Sequence, residues 1–220
     1  MSAPAVEALG PKAAADALDD DDLRALSAHA TEQTYQKNVV VVNEGDQSNT
    51  IFIILSGRVK VFLRNAEGRE MVINVLGSRE YFGELVIDEG VRSASIATLE
   101  SCRFMIVTKA DFKALVISDP DFALKLINRL MLRVRALTDN IRSLALLDVY
   151  GRVARLLLEL AIEQDGRLVV PEKLTQQDIA ERVGSSREMV SRIFKDLVLG
   201  GYIRIDNKLI TINRDLPQHR

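Results

Sequence analysis

Apolar positions along this chain change their period several times, and each change marks a predicted element. From residue 35 to 107, short apolar or alternating runs are separated by turn residues. Residues 39–42, 50–55, 59–63, 70–76, 93–99 and 103–107 read as strands, because β-branched and aromatic side chains suit a pleated surface. Glu44-Gly45-Asp46, Ser56-Gly57-Arg58 and Glu67-Gly68-Arg69 read as turns between them. Many short strands at this spacing predict an antiparallel β-barrel or jelly roll. Ahead of it stand an Ala- and Pro-rich tail, residues 1–17, expected to be poorly ordered, and a short helix over 21–30. The acidic run of residues 19–22 caps that helix. Residues 109–117 read as a further short helix.

The period then becomes helical. Asp119-Pro120 is a start signal for a long helix over about 121–147. Leu126, Leu130, Arg133, Leu137, Asn140 or Ile141, and Leu144 recur at spacings of three and four, a heptad-like seam. Such a seam packs either on its own domain or on a second copy. A helix this long between two compact units has little of its own domain to lean on, which favours a parallel two-helix dimer. A helix over 149–162 follows, ended by Gln164-Asp165-Gly166.

Residues 174–197 read as two short helices joined by a tight turn. Thr175 is the N-cap candidate, with Asp178 in the first turn where a carboxylate suits the helix N-terminus. Ile179, Ala180 and Val183 share one face, and Gly184 can take the left-handed conformation that ends the helix. Ser185 or Ser186 caps the second helix, whose buried stripe is Val190, Ile193 and Leu197. The small Ala180 permits close helix crossing, and Val190 fills the angle between the helices. Residues 202–205 and 208–212 then alternate around Asp206-Asn207, a hairpin signal. A hairpin directly after such a helix pair is a wing.

Off the buried stripe lie groups able to read DNA. Arg187 and Arg192 can pair bidentate with guanine, and Glu188 can accept from cytosine N4. Thr175, Gln176 and Gln177, with Ser186 at the turn, are candidates for phosphate contact, which positions without specifying. The competing reading is a solvated amphipathic helix pair. Arg204 and Lys208 on the wing read equally as backbone contacts or solubility charges.

Composition narrows the function classes. A length of 220 residues suits two domains. No apolar run has the length of a membrane span, and no basic-then-apolar leader opens the chain, so a cytoplasmic protein without a membrane partner is expected. One cysteine, Cys102, excludes an internal disulfide or a cysteine-ligated cluster within one chain and reads as a small buried residue. His29 and His219 stand apart, so neither metal nor haem is expected. No paired carboxylates or nucleophile–base set points to catalysis. The net charge of −2 divides unevenly: 12 basic and 11 acidic residues from Asp148 onward, against 17 and 20 before it. Attraction to DNA then rests on local placement.

The order of barrel, long helix and winged helix-turn-helix resembles the cyclic AMP receptor protein/FNR family of bacterial transcription regulators. LALLDVYGRVARLLLELA (144–161) and LTQQDIAERVGSSREMVSRI (174–193) are especially similar to its cyclic AMP receptor protein branch. The resemblance implies an α+β homodimer that binds double-stranded DNA at a TGTGA-N6-TCACA-like palindrome, read by Arg187, Glu188 and Arg192. RNA polymerase is a further implied partner. Gln176 stands where that branch carries a basic residue. FGELVIDEGVRSAS (82–95) resembles the family's phosphate-binding cassette. That likeness implies a cyclic nucleotide, cyclic AMP first, as effector and no covalent or metal cofactor. Gly83 would allow close backbone approach, and Glu84, beside Leu85, would accept from a ribose hydroxyl. Arg92 and Ser93 would hold the cyclic phosphate through charge-assisted bonds. Arg133 would brace the pocket from the helix seam, and without ligand is expected to be poorly paired. The 84–92 segment is shorter than in the family. Leu137 occupies the position of a purine-holding hydroxyl residue, with Thr138 matching its neighbour, and is expected to extend the apolar seam. A dimer partly pre-set for DNA follows as an expectation. The alternatives are the same DNA role without a cyclic nucleotide, and a nucleotide-sensing subunit acting on a protein partner. The expected division is a tail (1–17), a cyclic-nucleotide-binding-like barrel (18–118), a dimerisation helix (119–147) and a winged helix-turn-helix domain (148–220).

Overall fold

The computed structural model describes residues 17–27, 30–88 and 90–217. Nearly all of the expected tail, and both histidines, lie outside the described residues. The chain divides into two compact units, Met1–Asn65 with Ile73–Arg135, and Ala66–Val72 with Ala136–Arg220.

The first unit begins with α1 (Asp20–Ser27). Eight strands follow: β1 (Thr31–Tyr35), β2 (Val40–Val42), β3 (Thr50–Ser56), β4 (Val59–Arg64), β5 (Glu70–Leu76), β6 (Tyr81–Phe82), β7 (Ser95–Thr98) and β8 (Cys102–Thr108). A 3₁₀ turn, Glu84–Asp88, separates β6 from β7. The strands form two four-stranded sheets, β1-β8-β3-β6 and β2-β7-β4-β5, and the paired registers are antiparallel.

The apolar run in β3 is explained by burial on both faces. Phe52 and Ile54 join Val59, Phe82 and Phe104 in one core. Ile51 and Ile53 point the other way, into a second core with Tyr81, Phe112, Phe122 and Leu126. Phe52 stacks on Phe82 at 4.9 Å, and Phe104 meets both edge-on. The second core is closed by α1, by α2 (Lys109–Ser118) and by the start of α3 (Pro120–Leu146).

α3 divides the expected seam between its own unit and solvent. Leu126 and Leu130 pack into the second core of their own unit. Leu137, Ile141 and Leu144 of the expected seam remain exposed, as do Leu132 and Leu146. A second exposed set on α3 is Leu124, Ile127, Met131, Val134 and Ile141. With Thr138 they keep the spacing three, four, three, four, three, so the heptad survives on a neighbouring face. Leu137 lies beside this stripe rather than within it.

The second unit carries α4 (Val149–Leu160), β9 (Ile162–Gln164), β10 (Arg167–Val170), α5 (Gln176–Val183), α6 (Arg187–Leu199), β11 (Ile203–Asp206) and β12 (Leu209–Ile212). Asp148 caps α4 by accepting from Gly151 N at 2.7 Å. The three helices share a core of Val153, Leu157, Ile179, Val190, Leu197 and neighbours. Two expectations shift here. Asp165-Gly166 is a hairpin turn between β9 and β10, with both residues at positive φ, rather than a simple helix stop. The wing turns at Asn207-Lys208, one residue later than expected, with φ of 48 and 67. The hairpin and the wing join in one sheet, β11-β12-β10-β9. No helix among the described residues is long and apolar enough to cross a membrane.

Candidate functional site

The helix pair is built by local chemistry. Thr175 Oγ1 accepts from Asp178 N at 3.1 Å while Asp178 Oδ2 accepts from Thr175 N at 2.7 Å, a reciprocal capping box at the start of α5. Gly184 ends α5 in the left-handed conformation, φ 63 and ψ 48. Ser186, not Ser185, caps α6, its Oγ accepting from Met189 N at 3.2 Å. Val190, Ile193, Phe194 and Leu197 turn inward, Phe194 being the member the sequence reading missed. Arg187, Glu188, Ser191 and Arg192 are left exposed.

Thr175, Gln176, Gln177 and Arg187 line one open hollow across the two helices. The Thr175 hydroxyl also donates to Asp178 Oδ2, so its first task is the cap. Gln177 Nε2 donates to Glu181 Oε1 at 3.0 Å and stays exposed. Glu188 is held below the usual carboxylate range by its own backbone N–H and by the Ser186 hydroxyl, with Arg187 and Arg192 adding to the effect. It therefore remains an acceptor at neutral pH. Arg182 anchors α5 by a bidentate pair with Glu172, at 3.0 and 2.9 Å. Arg152 donates to Val183 O and Leu147 O, both at 2.8 Å, placing a cation where carbonyls collect at a helix end.

The barrel holds a second constellation. Glu84 and Arg92 are both buried. Arg133 Nη1 donates to Glu84 Oε1 at 2.7 Å and Nη2 to Tyr81 O at 2.8 Å, and its guanidinium covers the Tyr81 ring at 4.6 Å. The expectation of a poorly paired Arg133 is thereby overturned, because the β6 carbonyl and the cassette carboxylate both reach it. Arg92 Nη1 donates to Gly83 O at 3.0 Å, and Nη2 to Ser48 Oγ and Thr50 O, both at 2.6 Å. Gly83 sits at φ +91, and a Cβ there would collide with Arg92 Nη1. Leu85 and Ser93 face solvent. Leu137 and Thr138 are exposed residues of the second unit. Ser48, Thr50 and Tyr81 escaped the sequence reading. The hydroxyls lie 44 and 42 residues from Arg92, and no local pattern connects them. Among the described residues no group of three or more His, Cys, Asp or Glu side chains is placed to hold a metal ion.

Comparison with known proteins places these two constellations. Residues 32–119 match the cyclic nucleotide-binding domain, and residues 151–215 match the Crp-like helix-turn-helix domain. A CRP-like cAMP-activated global transcriptional regulator of Mycobacterium tuberculosis is 32% identical over 196 residues, 87% of this chain and 88% of that one. The cAMP-activated global transcriptional regulator Vfr of Pseudomonas aeruginosa is 34% identical, over 85% of this chain and 91% of that one. Among solved structures, the c-di-GMP-responsive global regulator CLP of Xanthomonas campestris superposes with a TM-score of 0.78 at 25% identity. That likeness covers 89% of this chain and all of CLP. The similarity runs through the barrel and the helix pair alike, so the chain belongs to the cyclic AMP receptor protein/FNR family and is a DNA-binding transcription regulator, not an enzyme.

Proposed function

We propose that the protein is a homodimer that binds a two-fold symmetric, TGTGA-N6-TCACA-like site through paired α6 helices, and that its barrel takes a cyclic nucleotide, cyclic AMP being the first candidate. A buried charge carries the ligand half of this reading. Arg92 is only 5% exposed, and the acceptors of its side-chain bonds, Gly83 O, Thr50 O and the Ser48 and Thr50 hydroxyls, are all neutral. Its Nε is buried without an acceptor. Burial lowers the pKa of the guanidinium, with Glu84 and Asp46 opposing from nearby. Burying a cation without an anionic partner is costly, so the cradle suits a ligand that brings a negative charge. A cyclic phosphate supplies one, and Glu84 offers an acceptor for the sugar hydroxyls.

A second reading keeps the DNA role and dispenses with the cyclic mononucleotide. Two observations favour it: Arg92 already donates to four neutral acceptors, and Leu137 offers no hydrogen bond to a purine. Calorimetric titration with a panel of cyclic mono- and dinucleotides, with and without duplex, separates the readings. Heat from cyclic AMP with an affinity raised by DNA supports the first, since coupling between two sites is reciprocal. Binding of specific DNA at full affinity with no heat from any member of the panel supports the second.

On the DNA side, Arg187→Ala is expected to cost about 1–3 kcal/mol and relax base choice at one position. Gln177→Ala is expected to weaken all sequences alike, as loss of a phosphate contact does. Competition binding against single-base variants checks both. Equal losses without any change of base preference contradict the base-reading role of Arg187.

A further inference from the structure

We infer that Ser48 is a positioning residue for the anion site: its hydroxyl locks the plane of the Arg92 guanidinium so that Nε faces an incoming phosphate. The inference rests on the cyclic nucleotide reading of the cradle. The loop between β2 and β3 grips Arg92 twice. Its backbone pairs with that of Arg92, Arg92 N donating to Asp46 O at 2.9 Å and Gly45 N to Arg92 O at 2.8 Å. Its side chains then hold the guanidinium. Ser48 Oγ accepts from Arg92 Nη2 at 2.6 Å, lies 2.9 Å from Thr50 Oγ1, and accepts from Thr50 N at 3.3 Å. Thr50 O takes the second Nη2 hydrogen at 2.6 Å. Gly83 O takes one from Nη1 at 3.0 Å.

The five N–H groups of an arginine are fixed in one plane, so fastening both Nη ends fixes the direction of Nε. Nε is the one side-chain nitrogen of Arg92 that is buried with no acceptor. The clasp therefore pre-orients a donor before any ligand arrives, and pre-orientation lowers the ordering cost of binding. Removing the Ser48 hydroxyl leaves that Nη2 hydrogen only the Thr50 Oγ1 at 3.4 Å, in place of a bond of 2.6 Å, and frees the guanidinium to turn.

The test compares full-length wild type, Ser48→Ala and Ser48→Thr by two readouts. In protein carrying ¹⁵N-arginine, with Arg92→Lys to assign the signals, the two Nη nitrogens of Arg92 resonate separately when rotation about Nε–Cζ is slow. Calorimetry with cyclic AMP gives the affinity. The expected result is slow rotation in wild type and Ser48→Thr, faster rotation in Ser48→Ala, and an affinity lower by about ten- to a hundredfold in Ser48→Ala alone. Arg92 signals unchanged in Ser48→Ala overturn the inference, as do equal affinities where wild type binds, or a Thr variant as weak as the Ala variant. If wild type itself takes no cyclic AMP while the Arg92 signals respond as expected, the effector reading fails and the clasp stands.

Discussion

Asp22→Ala is expected to destabilise the barrel unit by about 3–5 kcal/mol, because it strips the charge partner from a buried arginine. Asp22 and Arg129 are 4% and 5% exposed. Arg129 Nη2 donates to Asp22 Oδ2 at 3.1 Å and to Ala17 O at 2.9 Å, and Nη1 is buried without an acceptor. Lys125 Nζ reaches the same carboxylate at 3.0 Å. Asp22 and Asp19 also bond reciprocally, Asp22 N to Asp19 Oδ1 at 2.8 Å and Asp19 N to Asp22 Oδ2 at 3.2 Å, which fixes the start of α1, while Lys125 and Arg129 tie it to α3. A neighbouring pair gives the contrast: Arg24 and Asp21 meet at 2.7 Å but are 77% and 82% exposed. Asp21→Ala is expected to change stability by no more than about 0.5 kcal/mol. Urea midpoints at constant m-value measure both. Replacing Asp22 and Arg129 together with apolar residues is expected to recover much of the loss, since no lone charge then remains. Asp19 adds an acid limb. Lys125 holds its pKa down to about 2 against an ordinary 3.8, so the contribution is complete above 3.8 and is lost as pH falls through 2. A wild-type midpoint that falls between those values, and a shallower fall in Lys125→Met, is the expected pattern.

Val134→Glu is expected to weaken the proposed dimer by about a hundredfold or more, because the two copies would bring like charges together across the stripe. Val134 is 62% exposed and Ile141 66%, within an apolar stripe at heptad spacing along α3. A contiguous exposed stripe of this kind marks an interaction surface. The substitution also tests the register. Val134 is absent from the seam expected from sequence, whereas Leu144 belongs to it. On the observed stripe, Leu144→Glu leaves the dimer intact and Val134→Glu breaks it. Sedimentation velocity across a concentration series reads the difference. Dissociation by Leu144→Glu alone restores the register read from sequence.

These outcomes show which features are legible in a single chain. α5 and α6 are, because Thr175, Asp178, Gly184 and Ser186 act within four residues of the backbone groups they satisfy. β3 is legible as a strand, but its burial on two faces emerges only when α1, α2 and α3 are in place. β1 reads TEQTY and lies exposed at a sheet edge, so it carries no apolar signal. Asp165-Gly166 fits a helix stop and a hairpin turn equally, and only the pairing of β9 with β10 decides between them. The first two members of the seam, Leu126 and Leu130, have the right spacing but are claimed by the core of their own unit. At the cradle, Glu84 and Arg92 stand out through the family cassette, and Arg133 through a family position on the long helix. Ser48 and Thr50, and the Asp22–Arg129 pair 107 residues apart, depend on contacts that short-range patterns do not carry.

The proposed function requires a symmetric pair of base-reading helices delivered by one dimer. Fluorescence anisotropy at one fixed salt concentration tests it directly, comparing a TGTGA-N6-TCACA duplex with a duplex in which both half-sites are scrambled, each with and without cyclic AMP. The expected result is two protomers per duplex and, in the better of the two effector conditions, a preference for the palindrome of about a thousandfold or more. Equal affinity for both duplexes in both conditions, or one protomer bound per palindrome, contradicts it.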